Sequence, residues 1–256
     1  MTEQTTTNAN DRSEEGGIGE FVRAIIYAAI IALVIRTFAF EPFNIPSSSM
    51  VPTLLIGDYL FVSKYSYGYG DYGTFWGLAP FSGRLMDQTP HRGDVVVFKW
   101  PGDNSTDYIK RLIGLPGDRV QMKDGILYLN GQAVPRTPLS HPVPASGQPE
   151  PQNVTDYNED LPDGPEHYIR VTENKPNLEN TEEFVVPPHH YFMMGDNRDN
   201  SADSRDPAGK VGYVPEENLV GKAQVLFFSL DEDAHFWEFW KWPWAIRWSR
   251  MFRMVG

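Results

Sequence analysis

Residues 107–131 read DYIKRLIGLPGDRVQMKDGILYLNG and contain three short apolar runs separated by tight turns. The runs are rich in β-branched and aromatic residues, which is typical of strands. In Leu115–Asp118 the proline presets one backbone angle of a turn and the glycine supplies a positive one. Similar runs bounded by Gly, Pro, Asp and Asn lie on both sides. The sequence therefore predicts a mainly β, antiparallel domain of Greek-key or barrel type, with strands at 54–62, 94–100, 108–113, 119–122, 126–129 and 223–228.

Charge and cysteine content exclude several classes of protein. The 256 residues include 22 Lys and Arg against 34 Asp and Glu, a formal net charge of -12. Because nucleic-acid binding depends on clustered cations, nucleic acid is not an expected partner. The chain has no cysteine, which excludes disulfides, thiolate metal sites and a cysteine nucleophile.

An acidic, Pro-rich region interrupts the predicted domain at residues 135–183. Residues 150–183 hold ten Asp and Glu against one Arg and one Lys. We interpret the region as an inserted smaller subdomain. Its charge predicts a solvated surface, with an acidic docking surface as the alternative.

An apolar stretch near the N-terminus has the length of a membrane span. Residues 21–40 are interrupted only by Arg23, Arg36 and Thr37. Twenty helical residues reach about 30 Å, the thickness of a bilayer's hydrocarbon core. We therefore expect a transmembrane anchor at 19–40, preceded by a disordered polar tail at 1–18. A cleaved signal peptide and a buried helix of a soluble domain are the alternatives, and the flanking charges barely decide the orientation.

The last segment, residues 231–256, is rich in tryptophan. Five tryptophans fall within twelve residues, among interleaved Lys and Arg. Indole rings with nearby cations favour the headgroup layer of a membrane. The sequence thus predicts an amphipathic tail that contacts lipid, with a helix packed on the domain as the alternative.

Two polar residues stand out against apolar surroundings. Ser49 lies in Pro46–Leu54, PSSSMVPTL, and Lys110 is a lone lysine in the apolar strand 108–113. A serine hydroxyl becomes a nucleophile only when a positioned base takes its proton. Lysine can be that base if burial keeps it neutral, and lowering its pKa from about 10.4 to about 8 costs roughly 3.3 kcal/mol. Taken alone, each signal is weak, because serine clusters usually form turns and strand lysines usually face solvent.

Four boxes in this order closely resemble those of the bacterial type I signal peptidases. They are SSSMVPTL at 47–54, RGDVVVFKW at 92–100, DYIKRLIGLPGD at 107–118 and GDNRDNSADSR at 195–205. The resemblance spans about Phe40 to Phe228. It implies a signal-peptidase-like catalytic β domain at 41–134 and 184–230, and a serine endopeptidase that removes signal peptides from exported preproteins.

The resemblance also implies roles for individual residues. Ser49 resembles the nucleophile and Lys110 the general base. Ser47 resembles the side-chain donor that forms the oxyanion hole together with the backbone N–H of Ser49. Ser201 resembles the hydroxyl that orients the lysine ammonium. Asp203 and Arg205 together resemble a supporting ion pair. Ser48 stands where the family often has glycine.

Substrate and location follow from the same resemblance. The peptide is expected to bind beside strand edges, by β-augmentation. Shallow apolar pockets would admit only the small residues of an Ala-x-Ala motif. The residues expected to line these pockets are Phe43, Ile45, Met50, Leu54, Tyr108 and Ile109. The expected protein is a single-pass monomer of the bacterial cytoplasmic membrane, with the tail at 1–18 in the cytoplasm and the catalytic domain on the outer, periplasmic face. Its partners are signal peptides and the lipid bilayer, and no metal or other cofactor is implied.

Other readings remain as hypotheses. The chain could mature one dedicated substrate, belong to a self-cleaving relative, or be a non-catalytic module that keeps a peptide groove. His189 and His190 with Asp196 suggest a Ser-His-Asp triad. Alternating Asp199, Ser201 and Asp203 suggest a calcium loop, although Ser204 stands where such a loop needs glycine.

Overall fold

The computed structural model describes residues 17–70, 88–144, 153–172, 178–206, 211–231, 234 and 237–255, with the side chains of 17 and 18 excepted. The predicted tail at 1–18 therefore lies almost wholly outside the described residues. These residues contain two α-helices, α1 (Gly17–Phe38) and α2 (Trp242–Ala245). Short 3-10 helices occur at Ser48–Met50, Tyr65–Tyr67, Glu216–Asn218 and Trp248–Arg250.

The described residues contain fifteen strands, which confirms the mainly β prediction. In chain order they are β1 (Phe40–Asn44), β2 (Asp58–Ser63), β3 (Val95–Lys99), β4 (Asp107–Gly114), β5 (Arg119–Lys123), β6 (Ile126–Leu129), β7 (Gln132–Ala133), β8 (Arg136–Pro138), β9 (Val154–Asp160), β10 (Glu166–Thr172), β11 (Phe184–Val185), β12 (His190–Met194), β13 (Val214–Pro215), β14 (Leu219–Ser229) and β15 (Arg253–Met254).

The described strands form three antiparallel sheets. The largest has eight strands in the order β1-β2-β14-β3-β4-β12-β13, with β15 paired to β14. A second sheet has the order β11-β5-β6-β7, and a third, β10-β9-β8, lies within the acidic region. The long strand β14 pairs with β2, β3 and β15, so it joins the first strands of the chain to the strand that carries Lys110 by way of β3.

The central strands are packed on both faces. In β3, Val95 and Val97 belong to one apolar cluster, and Val96 and Phe98 belong to another. Because both faces are covered, the strand reads as a continuous apolar run instead of an alternating one. A third cluster forms between β5, β6 and β12.

The tight turns have the backbone that the sequence predicts. Gly117 has φ of 90°, and the pair Asn130 and Gly131 has φ of 52° and 81°. Two successive positive φ angles are what a two-residue hairpin turn requires, and Asn-Gly supplies them at low cost. The strand boundaries at 119–123 and 126–129 follow from these turns.

Three regions differ from the sequence-based expectation. Strand β2 begins only at Asp58, because the preceding residues form the loop after the Ser48–Met50 helix, and β14 begins at Leu219 instead of Ala223. The acidic region is not simply solvated, since Asp156 and Glu159 are buried. The tryptophan-rich segment forms the one-turn α2, a 3-10 turn and β15 instead of one continuous helix.

The helix α1 is long and apolar enough to cross a membrane over Gly19–Phe38, and none of that stretch is buried against the domain. The lack of packing argues against the buried soluble helix, because a soluble helix would cover its apolar side chains. A signal sequence has the same length and position.

Candidate active site

The loop between β1 and β2 presents Ser49. Met50 and Leu54 are completely buried and fix this loop to the first apolar cluster, while the exposed fraction of Ser49 is 8%. The loop at residues 195–205, which follows β12, forms hydrogen bonds to the backbone of the Ser49 loop. The backbone N–H of Asn197 donates to Ser49 O at 3.1 Å, and its side-chain Nδ2 donates to Ser48 O at 3.0 Å.

Lys110 reaches Ser49 from the middle of β4. Its Nζ lies 2.7 Å from Ser49 Oγ and donates to Ile109 O at 2.9 Å. Strand β4 is paired with β3 on one side and β12 on the other, so its position is fixed by the sheet. Only 3% of Lys110 is exposed. The structure therefore brings the two predicted residues together.

Burial lowers the pKa of Lys110 to about 8, although the charges of Asp203 and Asp196 act in the opposite direction. Removing an ammonium from water disfavours its charged form, which is the cause of the shift. A neutral amine has a lone pair that can accept the Ser49 proton. The site thus provides what a serine-lysine pair needs for proton transfer.

With neutral Lys110 as the predicted general base, catalytic activity is expected to rise with pH through about 8, the pKa of the buried amine. Well below that value, kcat/KM should fall about tenfold for each pH unit. The check is kcat/KM measured from pH 6 to 10 on a folded sample. A profile that is flat between pH 6 and 9 would contradict the prediction.

Ser47 lies on the solvent side of Ser49. Its side chain is exposed, and its Oγ is 3.4 Å from Ser49 Oγ. At this position the hydroxyl can turn toward an oxygen that develops next to the attacked carbon. The placement fits the predicted oxyanion donor.

Replacing Ser47 with Ala should lower kcat by about 10²–10³, the typical loss of one oxyanion-hole donor. KM and the thermal unfolding midpoint should barely change, because the side chain is exposed. Steady-state kinetics with circular dichroism would test this. Ser48→Ala is the matched control, since the Ser48 hydroxyl instead accepts from Asn200 Nδ2 at 2.8 Å. Equal losses in both variants would refute the assignment.

Ser201 does not make the predicted hydrogen bond to Lys110 in the described part of the chain. Its Oγ is buried and has no hydrogen-bond partner of normal geometry there, although it lies close enough to Asp203 to help lower the pKa of that carboxyl. It packs instead against Gly195. A Cβ at Gly195 would come within 2.2 Å of Ser201 Oγ and 2.5 Å of Ser49 O, so glycine is needed for this close approach.

Asp203 and Arg205 form the predicted ion pair in a fully buried position. Arg205 Nε donates to Oδ1 of Asp203 at 2.9 Å, and Nη2 donates to Oδ2 at 2.8 Å. The backbone N–H groups of Gly195 and Arg205 also donate to this carboxylate, at 3.0 and 3.2 Å. Burial alone would raise the pKa of Asp203, but these interactions outweigh it and hold the pKa below its ordinary value.

A second buried ion pair, between Arg111 and Asp196, was missed by sequence reasoning. Arg111 Nε and Nη2 donate to the two Asp196 oxygens at 2.8 and 2.7 Å. Arg111 Nη1 also donates to Gly93 O at 2.7 Å, and Thr53 Oγ1 donates to Asp196 at 2.5 Å. The cluster joins the serine loop, the lysine strand and the 195–205 loop. An arginine between apolar strand residues was the available signal.

The predicted pocket residues fall into two groups. Five of the six belong to the first apolar cluster or pack against it, while Tyr108 packs beside Phe98 and Trp100 in another cluster. Ile45, Met50 and Leu54 are at most 2% exposed and form a floor, whereas Phe43 and Ile109 are partly buried. Tyr108 thus packs in a different cluster from the other five, while its ring centroid lies 5.4 Å from Lys110 Nζ.

The C-terminal segment also braces the serine loop. Arg250 Nη2 donates to Thr53 O at 3.0 Å and pairs with the buried Asp58 at 2.5 Å. Arg247 Nη2 donates to Ile56 O at 2.5 Å. The two arginine side chains thus donate to carbonyl groups of the loop between β1 and β2.

The alternative sites are not assembled. His189 is exposed and its Nδ1 lies 3.1 Å from Glu216, whereas Asp196 is bound by Arg111. Asp199 accepts from Thr172 N–H and Asp203 binds Arg205, so both carboxylates of the suggested calcium loop have protein partners. Within the ranges that the structure describes, no group of His, Asp and Glu is suited to hold a metal ion.

Comparison with known proteins places the chain in a family. The family model "Signal peptidase, peptidase S26" matches residues 18–228. A signal peptidase I of Rickettsia conorii is 40% identical over 237 residues, which cover 90% of this chain and 85% of that protein. The Rickettsia typhi signal peptidase I is 42% identical over 211 residues, which cover 79% and 77%.

A crystal structure of a signal peptidase I from Enterococcus faecalis V583 also matches. It is 28% identical, covers 53% of this chain and 97% of that chain, and has a TM-score of 0.31. The family assignment does not depend on it. The family model and the curated relatives together confirm the resemblance and the enzyme class: the chain belongs to the signal peptidase family, peptidase S26, and is a serine endopeptidase.

Proposed function

We propose that this chain removes signal peptides from exported preproteins after small-x-small motifs, with Ser49 as nucleophile and neutral Lys110 as general base. The observation that carries the proposal is the 2.7 Å contact between Lys110 Nζ and Ser49 Oγ in a buried setting. The family relatives, which are signal peptidases, support the substrate class.

The proposed reaction has two halves. Lys110 Nζ takes the proton from Ser49 Oγ as the oxygen attacks the scissile carbonyl carbon. The resulting oxyanion accepts hydrogen bonds from the Ser47 hydroxyl and the Ser49 N–H. The C–N bond then breaks, the Lys110 ammonium protonates the leaving amine, and an ester to Ser49 remains. Water, deprotonated by Lys110, hydrolyses the ester and restores Ser49.

The substrate is proposed to bind as an extended strand. Strand β1 is at one end of the largest sheet and, among the described strands, pairs with β2. Its other edge carries no partner among the described strands and is the proposed place for β-augmentation. The side chains of Ile45, Met50 and Leu54 form the floor of the proposed pocket and are themselves buried. The pocket above them is therefore proposed to be shallow and to admit only small substrate side chains before the cut.

We further propose that the protein is a monomer anchored by α1 in the bacterial cytoplasmic membrane, with the catalytic domain on the outer face. Neither a cofactor nor nucleic acid takes part in the proposed reaction. The tryptophan-rich segment is proposed to contact lipid. Trp240, Trp248, Trp237 and Trp244 are 57%, 64%, 69% and 82% exposed, and cations lie between them.

Aromatic contacts connect this segment to the end of α1. The series runs along the sheet with neighbouring ring centroids 4.2–6.3 Å apart, through Phe40, Phe61, Phe227, Tyr59, Phe228 and Trp242. Helix α1 ends two residues before Phe40. The exposed tryptophans are therefore proposed to lie on the membrane side of the domain.

The proposed specificity is tested with a purified preprotein in lipid vesicles. Mass spectrometry should locate the cut after the small-x-small motif. Replacing the residue before the cut with Leu should lower kcat/KM by about 10²-fold, because the filled floor excludes it. Equal cleavage of both substrates would reject the specificity. Binding without cleavage by the wild type would support the non-catalytic module.

A further inference from the structure

The acidic region is joined to the 195–205 loop by hydrogen bonds. Arg170 N–H donates to Asp196 O at 2.8 Å, and Arg198 N–H donates to Arg170 O at 2.8 Å. Thr172 N–H donates to Asp199 Oδ2 at 2.7 Å. Strand β10 thus runs beside the loop that carries the carboxylates of the candidate active site.

A buried ion pair strengthens this attachment. Glu159, on β9, is 0% exposed, and its two carboxylate oxygens accept from Nη1 and Nη2 of Arg198, the first at 2.9 Å. The ring of His167 lies beside it, with Nε2 3.5 Å from Glu159 Oε2. Burial alone would raise the pKa of Glu159, but the Arg198 charge holds it well below the ordinary value. Glu159 is therefore ionised at neutral pH.

Contacts continue from Arg198 to the lysine. The carbonyl of Arg198 accepts from Arg205 Nη2 at 2.6 Å, and the same guanidinium grips Asp203 at 2.8 Å. The charge of Asp203 acts on Lys110. A displacement of Arg198 would thus move the group that holds Asp203, and the field at Lys110 would change with it.

Burying the Glu159–Arg198 ion pair has a large desolvation cost in free energy. Burying two charges often gains little net stability over an apolar pair, so stability is a weak reason for its presence. Its geometry is specific, because a bidentate pair fixes the guanidinium in one plane. A guanidinium held in one orientation can fix the position of the loop that carries it.

We propose that Glu159 is a positioning residue, and that the acidic region acts as a clamp that holds the 195–205 loop in register with Lys110. The proposal rests on the proposed serine-lysine function. It gives the acidic region a role inside the catalytic domain, in contrast to a docking surface for another protein.

The test is Glu159→Gln, which keeps the shape of the side chain and removes its charge. On folded protein at 25 °C, kcat should fall at least tenfold while KM stays within twofold. Asp160→Asn is the matched control, because Asp160 is the next residue of β9, is exposed, and loses the same charge. Its kcat should equal that of the wild type. Glu159→Asp restores the carboxylate and should recover several-fold in kcat over the Gln variant.

A second variant covers the case in which Glu159→Gln does not fold. Asp199→Ala removes the acceptor of the Thr172 N–H at a partly exposed position. Its kcat should fall about threefold or more, with KM unchanged and the thermal unfolding midpoint within a few degrees. Wild-type kcat in folded Glu159→Gln overturns the proposal, whatever its thermal unfolding midpoint. Where that variant does not fold, wild-type kcat in Asp199→Ala overturns it.

Failure of the clamp and failure of the proposed function give different results. An active wild type whose activity is abolished by Ser49→Ala, together with full activity in the clamp variants, rejects only the clamp. Cleavage by purified Ser49→Ala protein, or none by the wild type, rejects the serine-lysine function and the clamp with it.

Discussion

Lys110→Met protein is expected to lose at least about 10⁴-fold in kcat/KM at pH 8, and Ser49→Ala protein should be equally inactive. Methionine fills a similar volume but cannot accept the Ser49 proton. The two effects should not add in the double variant, because the residues act as one unit. A loss of less than about 10²-fold in either single variant, after removal of contaminating protease, would contradict the mechanism.

The same Lys110→Met substitution should stabilise the fold. The pKa of Lys110 is lowered to about 8 in the folded protein from its ordinary value of 10.5. The unfolded chain therefore binds more protons between these values, and stability rises with pH across that window. Below pH 8 the folded state carries the full penalty of the buried amine, about 3 kcal/mol.

Calorimetry at pH 7 should show a higher thermal unfolding midpoint for Lys110→Met than for the wild type. Lys123→Met is the control, because Lys123 is also a strand lysine but is exposed on β5. It should change neither activity nor stability. A Lys110→Met protein that is less stable than the wild type would show that burial of the amine is not costly.

Asp196→Ala protein is expected to lose about 3–5 kcal/mol of unfolding free energy, because it leaves a buried guanidinium without its partner. Arg111 is 0% exposed, so bulk solvent does not reach its guanidinium to compensate for the lost carboxylate. Denaturant titration would measure the loss, together with a fall in the thermal unfolding midpoint of about 10 °C.

The control for this prediction lies on the same strand as Arg111. Asp107 pairs with Lys99 at 2.9 Å, and its side chain is 39% exposed. Because exposed ion pairs contribute little, Asp107→Ala should cost less than about 1 kcal/mol. Similar losses for Asp107→Ala and Asp196→Ala would mean that burial does not decide the strength of these pairs.

Local signals were enough for much of the catalytic domain. The turns at Gly117 and Asn130–Gly131 were predictable because glycine and asparagine tolerate positive φ. Strand β6 has the predicted ends, and β3 and β4 differ from prediction by one residue at each end. In each case the information lies within a few residues of sequence.

Strands that bury charge could not be predicted in this way. Strand β9 reads VTDYNED, which resembles a solvated loop, yet Asp156 and Glu159 are buried. Their partners Arg170 and Arg198 lie 14 and 39 residues further along the chain. Arg111 was missed for the same reason, since its partner is 85 residues away. Only the tertiary fold shows that these charges are compensated.

The candidate site was predicted by resemblance more than by pattern. No local rule connects Ser49 with Lys110, which are 61 residues apart. The pocket residues, too, were named from the resemblance and stay a prediction. Tyr108 and Ile109 are consecutive in β4, so their side chains face opposite sides of the strand and pack against different apolar clusters.

Ser49 lies 11 residues after Phe38, the last residue of α1. A fully extended chain of that length reaches at most about 40 Å. With α1 seated in a bilayer, this tether acts as a ruler that keeps the nucleophile within a few nanometres of the lipid. A preprotein would then be cut while its own leader still sits in the membrane, and identical motifs far along a released chain would be spared by distance alone.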